Sequence, residues 1–308
     1  MEKFDVHILG CGSAIPTGRH LPTTQVVNFR DKLFMIDCGE GAQLQFRKQR
    51  LKFSRLVSVF ISHLHGDHCF GLVGIISTMN LLGRTAQLHL YLPLGGTEVL
   101  KPMIDYFNRE MTYEVVYHEH DTRKQEVIYE DRSLTVETIP LCHRIPCCGF
   151  FFKEKPNPRH INREMVDFWK VPLYELERLR RGEDFVTPDG TVVPNERLTK
   201  PADPSRTYAY CSDTAFHPAV AAQVLGVDVL YHEATFGEDN RNRAKETFHS
   251  TARDAAEIAR RARVKKLVIG HFSARYEDES SLLREAEEVF PQTVLAKESL
   301  VVSVGKRS

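Results

Sequence analysis

Strands and helices alternate along this chain in an order that its apolar positions predict. Residues 4–10 alternate apolar and polar side chains like a half-buried strand, and residues 56–61 form a continuous apolar run typical of a fully buried one. Residues 71–82 are apolar nearly all round and stop at Gly83, as expected of a buried helix. The same patterns predict further strands at residues 25–30, 32–38, 88–92, 113–117, 127–129, 134–139, 207–211, 227–231, 266–269 and 300–304. Further helices are predicted at residues 97–107, 173–181, 219–225, 250–262 and 280–289.

Strands precede helices in both halves of the chain, with no long linker between the halves. This order predicts an α/β fold in which two halves face each other across one core, an αβ/βα sandwich. Residues 153–200 interrupt the pattern with five prolines, and residues 153–182 carry eight Lys or Arg against five Asp or Glu, a local charge of 8 − 5 = +3. Long insertions in compact folds are usually functional or disordered. A binding arm and a solvated insertion without a partner are both compatible with this segment.

Composition narrows the class of protein. A hydrophobic content of 42% and a charged content of 27% are typical of a globular protein, and the net charge of +0 excludes a global basic field for nucleic acid. Any RNA contact therefore requires a local patch. The seven cysteines form no CxxC pair, which favours reduced thiols and a cytoplasmic location. No apolar run approaches the roughly 20 residues that cross a bilayer, so no membrane association is expected.

Three imidazoles and a carboxylate directly follow the predicted strand 56–61. They belong to His63, His65, Asp67 and His68, on the turn that leaves the strand, where side chains can converge on one point. Gly66 is expected to let the backbone turn tightly there. Zinc prefers imidazole nitrogen and carboxylate oxygen in such compact sites. The alternative is a solvated histidine-rich loop that binds metal only adventitiously.

Three later strand ends offer ligands that could complete a site with two metal ions. His143, Asp213 and His271 each end a predicted strand. Ligands at strand ends are held by rigid elements, which a catalytic metal site requires. A single histidine at a strand end is more often structural, so the prediction depends on the set as a whole.

The segment His63-Leu64-His65-Gly66-Asp67-His68 resembles the HxHxDH signature of the metallo-β-lactamase superfamily. Within that superfamily the whole chain is similar to ribonuclease Z, the endonuclease that trims the 3′ end of precursor tRNA. The resemblance implies a four-layer αβ/βα sandwich over residues 1–308, with residues 153–200 as an inserted, protruding arm that binds tRNA. It also implies a homodimer.

The resemblance further implies two zinc ions per subunit. One ion would be held by His63, His65 and His143, the other by Asp67, His68 and His271, with Asp213 bridging both. A hydroxide bridging the ions would attack the phosphodiester of precursor tRNA, leaving a 3′-hydroxyl on the tRNA and a 5′-phosphate on the trailer. Asp67 is the expected general base.

Other segments of the family match as well. His249 is the expected proton donor to the leaving oxygen, oriented by Glu233, and Asp37 is expected to support the metal loop without binding metal. The loop 16–20, with Arg19, stands where the family recognises the RNA 3′ end, and Arg275 is expected to contact a phosphate. The alternatives are a helix cap for Asp37, a neighbour of a helix cap for His249 and a surface ion pair for Arg275.

Two other functions remain compatible with the motif. The same site could belong to a thioester or sulfate-ester hydrolase or a small-molecule phosphodiesterase, none of which needs the arm or the pair of His249 and Glu233. A non-enzymatic RNA-binding protein with a decayed site is disfavoured, because every ligand position is filled.

Overall fold

The computed structural model describes residues 2–305, which fall into two compact units. The first unit contains the chain up to Glu130, Thr135–Phe152 and the chain from Arg206 onward. The second contains Asp131–Leu134 and Lys153–Ser205. No helix within the described residues is long and apolar enough to cross a membrane.

Seven strands form the first sheet of the first unit. They are β1 (Phe4–Gly10), β2 (Thr24–Phe29), β3 (Lys32–Ile36), β4 (Leu56–Phe60), β5 (Leu88–Pro93), β6 (Val115–His120) and β18 (Val301–Ser303). Their order is β18-β1-β2-β3-β4-β5-β6. The strands from β3 to β6 are parallel, whereas β18, β1, β2 and β3 pair antiparallel.

A second sheet of seven strands has the order β17-β16-β15-β14-β9-β8-β7. These strands are β7 (Val127–Glu130), β8 (Leu134–Pro140), β9 (Cys148–Glu154), β14 (Thr207–Cys211), β15 (Val229–Glu233), β16 (Leu267–Gly270) and β17 (Thr293–Leu295). Because β14 to β17 are parallel, their carboxyl ends lie at one edge of the sheet. In open α/β sheets, ligands bind outside such an edge.

Aromatic side chains fill the space between the two sheets. Phe34 and Phe60 come from the first sheet, and their ring centroids lie 6.1 Å from Phe152 and 5.4 Å from Phe150 of the second. All four side chains are buried. Large aromatic groups contribute most of the area that holds such an interface together.

Helices cover the outer faces of both sheets. The helices of the first unit are α1 (Ala42–Lys48), α2 (Gly66–Cys69), α3 (Leu72–Leu81), α4 (Gly96–Phe107), α8 (Val220–Gln223), α9 (Arg241–Thr247), α10 (Ala252–Ala262) and α11 (Ser280–Glu287). Single 3₁₀ turns span Phe53–Arg55 and Glu238–Asn240. α1, α3 and α4 share an apolar core with the first sheet, and α10 and α11 pack on β15 to β17. The predicted four-layer αβ/βα sandwich is therefore confirmed.

The second unit has its own small core. Its helices are α5 (Arg163–Phe168), α6 (Leu176–Arg180) and α7 (Asn195–Leu198), with a 3₁₀ turn at Leu173–Glu175. Two short antiparallel pairs join β10 (His160–Ile161) to β13 (Thr199–Lys200) and β11 (Phe185–Val186) to β12 (Val192–Val193). The buried core consists of Val166, Val171, Leu179, Phe185, Val193 and Leu198. The insertion is thus a folded unit, whereas its role as an arm stays a prediction.

Gly149 in β9 allows a close approach of two strands near the candidate site. A Cβ at this position would lie 2.1 Å from the carbonyl oxygen of Tyr210 in β14. We expect Gly149→Ala to lower the free energy of unfolding by about 1–3 kcal/mol or more, because neither backbone can yield. Chemical denaturation measures the change. Gly18→Ala is the control, since a Cβ at Gly18 meets no atom within 4 Å and should leave stability nearly unchanged.

Candidate active site

The chain brings its seven predicted ligand residues together from four separate segments. The loop after β4 carries His63 and His65, and the short helix α2 carries Asp67 and His68. The other three follow strands of the second sheet: His143 after β8, Asp213 after β14 and His271 after β16. Within this set, His63, His68, Asp213 and His271 are buried.

Four of the seven residues form a first cluster around His65. Its Nδ1 atom lies 3.0 Å from His63 Nε2 and 3.3 Å from His143 Nε2. Asp213 Oδ2 lies 3.6 Å from His63 Nε2 and 3.9 Å from His143 Nε2. These nitrogen and oxygen atoms are close enough together to hold one metal ion.

Asp67, His68 and His271 form a second cluster on the other side of Asp213. Asp67 Oδ2 lies 3.4 Å from His68 Nε2 and 3.8 Å from His271 Nε2. Asp213 Oδ1 lies 3.5 Å from His68 Nε2 and 3.1 Å from His271 Nε2. The two carboxylate oxygens of Asp213 therefore face different clusters, as expected of a bridging ligand.

Unpaired buried nitrogens indicate that cations fit these clusters. Nε2 of His68 and Nε2 of His271 are buried, and neither has a hydrogen-bond partner among the described residues. Leaving such groups unpaired costs about 1–3 kcal/mol each, and a bound cation would remove that cost. Their opposite ring nitrogens are held at 2.7 Å from Asp37 Oδ2 and 2.8 Å from Thr235 Oγ1. Metal-binding histidines are usually fixed in this way.

The carboxylates of the site are held in their charged forms. Burial acts to raise the pKa of Asp213, but the imidazoles of His271 and His68 hold that pKa well below its usual range. Burial likewise opposes ionisation of Asp67, and His68 nevertheless lowers the pKa of that carboxyl. Buried negative charge requires compensation by cations, which supports a metal-binding role for the clusters.

Asp37 supports the loop that carries the histidines. Its Oδ1 accepts a hydrogen bond from Ser62 N at 2.8 Å, and its Oδ2 accepts bonds from Ser62 Oγ, His68 Nδ1 and Tyr210 Oη at 2.6–2.9 Å. Helix α1 is capped by Gly41, so Asp37 caps no helix there. Gly66 has no positive φ and begins α2, so the tight-turn role predicted for it is wrong. A Cβ at Gly66 would instead meet the ring of Phe70 at 2.2 Å.

The buried Glu233 and the half-buried His249 form an ion pair beside the clusters. Glu233 Oε1 lies 2.8 Å from His249 Nδ1, and its Oε2 accepts a 2.7 Å bond from the hydroxyl of Thr235. Burial acts to lower the pKa of His249, but the Glu233 carboxylate raises it to about 9. Helix α10 begins after His249 with a capping box between Thr251 and Asp254, which fixes the segment.

Two groups at the site were not predicted from the sequence. Thr235 joins Glu233 to His271, because its hydroxyl donates to Glu233 and accepts from His271 Nδ1. The backbone N–H of Ala14 donates a 2.9 Å bond to Asp67 Oδ2. Thr235 lies in the same short segment as Glu233, which could have indicated it. Nothing in the sequence indicates the backbone of Ala14.

The two arginines of the family-like segments differ in their surroundings. Arg19 donates to the backbone carbonyls of Tyr276 and Glu277 and lies 3.2 Å from Glu279, so it ties its loop to the chain. Arg275 is exposed, and its guanidinium has no ion-pair partner in residues 2–305. Of the cysteines near the site, Cys142 is exposed and Cys147, Cys148 and Cys211 are buried.

Comparisons with known proteins identify what this chain is similar to. The family model described as anti-Pycsar protein Apyc1 matches residues 4–157. A ribonuclease Z of Bacteroides fragilis is 66% identical over 304 residues, covering 99% of this chain and 100% of the relative. One of Porphyromonas gingivalis is 53% identical with the same coverage.

Among solved structures, human tRNase Z, short form, is 25% identical and superposes with a TM-score of 0.70, covering 98% of this chain and 100% of that one. A metallo-β-lactamase fold protein of Bacillus subtilis, 17% identical with the same TM-score and coverage, shares the fold. The near-complete coverage at 66% identity settles the family: this chain belongs to ribonuclease Z, the endoribonucleases of the metallo-β-lactamase fold.

Proposed function

We propose that this protein is a zinc-dependent endoribonuclease that removes the 3′ trailer of precursor tRNA. The product would be a tRNA with a 3′-hydroxyl and a trailer with a 5′-phosphate. The observation that carries the proposal is the pair of histidine clusters that share Asp213, next to the ion pair of Glu233 and His249. The family implies that the site binds divalent metal, and a cytoplasmic location fits the free thiols of all seven cysteines.

Zinc is the proposed metal, with two ions per subunit. One set of ligands is His63, His65 and His143, the other is Asp67, His68 and His271, and Asp213 belongs to both. Imidazole and carboxylate donors without a thiolate suit zinc. When bound, the ions would lower the pKa of a water and offset the charge of the phosphodiester.

The protein's own groups then have separate tasks. Asp67 is the proposed general base, and the 2.9 Å bond from Ala14 N holds its carboxylate in place. Arg275 is the proposed phosphate contact, because it is exposed and unpaired within the described residues. His249, whose pKa the Glu233 carboxylate raises, is the proposed donor of the proton to the leaving 3′-oxygen.

The second unit is proposed to bind the body of the tRNA. Phe168 and Tyr174 expose 72% and 78% of their surface, and Lys170 lies between them in the chain. Exposed aromatic rings stack on bases and lysine contacts phosphate, so this combination favours RNA. Several arginines of α6 are instead paired with glutamates, for example Arg178 with Glu183 at 2.8 Å. Arg163 and Lys170 are exposed and have no ion-pair partner among the described residues, so their charges remain available to RNA.

We expect the double variant Arg163→Glu and Lys170→Glu to weaken binding of precursor tRNA about tenfold or more and to flatten the salt dependence of that binding. Each reversed charge adds repulsion from the phosphate backbone. Cleavage of a small nitrophenyl phosphodiester should stay unchanged. Binding is measured by filter retention at several salt concentrations. The control Lys52→Glu reverses the charge of another exposed lysine of the chain. Equal losses of tRNA binding in both variants would contradict the proposed role of the second unit in binding RNA.

A homodimer is proposed from an exposed apolar face of α4. Val99, Met103, Tyr106 and Phe107 recur at helical spacing and expose 42–65% of their surface. The adjoining side of the helix, with Leu100 and Ile104, is buried in the core. Contiguous exposed apolar surface of this kind marks protein interfaces, and a second copy of the chain is the proposed occupant.

Met103→Glu should convert the dimer to a monomer of 35.3 kDa, because it places a charge in the centre of the proposed interface. Sedimentation velocity gives the mass. Leu225→Glu, at an exposed apolar position that lies outside this face, should leave a dimer. A wild-type monomer, or a dimer that survives Met103→Glu, would contradict the assignment of the interface.

One assay decides between the candidate functions. The zinc-loaded protein is incubated with precursor tRNA labelled in its 3′ trailer and, separately, with a thioester. Release of the trailer with a 5′-phosphate is the expected result. Turnover of the thioester alone would indicate a small-molecule hydrolase, and a bound but intact RNA would indicate a binding protein.

A further inference from the structure

A third group of potential metal ligands lies outside the two clusters that share Asp213. Cys11 follows β1, His20 lies in the loop before β2, and Glu298 lies between β17 and β18. Cys11 Sγ is 3.2 Å from His20 Nδ1, which is 3.0 Å from Glu298 Oε2. The thiol lies 3.8 Å from both oxygens of Glu298. We propose that Cys11, His20 and Glu298 bind a structural zinc ion that is independent of the catalytic clusters.

The spacing of these atoms fits tetrahedral coordination. Zinc binds sulfur at about 2.3 Å and nitrogen or oxygen at about 2.0–2.2 Å, so neighbouring ligand atoms are about 3.4–3.6 Å apart. The three observed separations differ from that range by a few tenths of an ångström. Thiolate, imidazole and carboxylate are each common zinc ligands, and together they leave a fourth position for water.

The surroundings orient His20 and Glu298 for this role. His20 Nε2 lies 3.3 Å from Glu279 Oε1, so a carboxylate holds the ring with Nδ1 directed at the thiol, as in other zinc sites. Leu21 N donates a 3.0 Å bond to Glu298 Oε1, which leaves Oε2 for the ion. Cys11 is fully buried, whereas the side chains of His20 and Glu298 are 15% and 17% exposed. An ion would therefore enter from the side on which His20 and Glu298 are partly exposed.

An ion at this position would order the loop that reaches the active site. The loop from Gly12 to Leu21 is closed by a 2.9 Å bond from Gly12 N to Leu21 O. It contains Ala14, whose N–H contacts Asp67. Joining both ends of the loop to Glu298 restricts the position of this N–H. The site would thus help to hold the Ala14 N–H in contact with Asp67.

Cobalt substitution tests the proposal without any RNA. Among residues 2–305, Cys11 is the only cysteine that shares a group of at least three close ligand atoms, so a sulfur-to-cobalt charge-transfer band is expected from this site. The wild-type protein should show the band. Cys11→Ser should lose it and bind one zinc ion fewer per chain, as measured by plasma mass spectrometry. The control Cys142→Ser, which removes the exposed thiol, should retain both.

No band in the wild type, or an unchanged band and zinc content in Cys11→Ser, would overturn the proposal and leave a purely hydrogen-bonded cluster. Glu298→Gln keeps an acceptor for Leu21 N and serves if Cys11→Ser does not fold, as judged by circular dichroism. Loss of one zinc ion in Glu298→Gln supports the site, and an unaltered content refutes it. Neither result depends on RNA cleavage, so failure here is distinct from failure of the proposed function.

Discussion

Asp213→Ala is expected to abolish RNA cleavage and to reduce the metal content of the protein. Its two carboxylate oxygens lie within 3.1–3.9 Å of nitrogens from four histidines in both clusters. Removing them leaves buried imidazoles facing each other without their shared anion. We therefore expect the loss in kcat/KM to exceed the roughly 10²–10⁴-fold that a proton-transfer group contributes. The loss of activity is measured by cleavage of labelled precursor tRNA, and the loss of metal by inductively coupled plasma mass spectrometry.

Asp228→Asn is the matched control for that variant. Asp228 is also a buried carboxylate at the edge of β15, where it accepts a 2.7 Å bond from Thr207 N, but it belongs to neither cluster. The variant should retain the metal content and the cleavage rate of the wild type, and only its free energy of unfolding should decrease. Asp213→Ala with a normal cleavage rate, or fewer than two catalytic metal ions in the wild type, would refute the proposed mechanism.

His249→Ala should lower the cleavage rate by about 10²–10⁴-fold while the metal content stays unchanged. The imidazole is held by Glu233 at 2.8 Å, next to His271 and His143, where it can reach a leaving oxygen. An alkoxide leaving group needs a proton, whereas a nitrophenolate does not. The variant should therefore retain most of its activity on a nitrophenyl phosphodiester, and the ratio of the two rates measures proton donation.

His217→Ala controls for the loss of an imidazole outside the clusters and should cleave both substrates normally. Equal losses on both substrates in His249→Ala would show that the residue supports the structure of the site and does not donate a proton. Glu233→Gln cannot make this distinction, because Glu233 also orients His271 through Thr235.

The sequence predicted which residues come together at the candidate site, because three of them follow the ends of strands. An apolar run identifies the strand and a polar residue of ligand type follows it, so the positions of His143, Asp213 and His271 could be inferred before any contact was known. The antiparallel hairpin of β2 and β3 and the helix α3 are present as predicted. The burial predicted for α3 is wrong, because only one face of the helix is buried and Leu81 is 87% exposed. The resemblance to ribonuclease Z, now confirmed, indicated how these strand ends come together at one site.

Features that depend on tertiary contacts escaped prediction. Strand β9 and helix α9 lack a clear pattern: β9 is buried along almost its whole length, and α9 is a short polar helix. The N–H of Ala14 and the hydroxyl of Thr235 act through geometry that residue type does not encode. The positive charge counted for the insertion is partly consumed by ion pairs such as that of Arg180 with Glu177 at 3.2 Å.

The distribution of the site over both sheets has a consequence during synthesis. A growing polypeptide leaves the ribosome with its N-terminus first. The histidines that follow β4 emerge early, but His271 follows β16 near the end of the chain. A nascent chain that ends before His271 lacks one of the proposed metal ligands, so we expect RNA cleavage only after β16 has been synthesised.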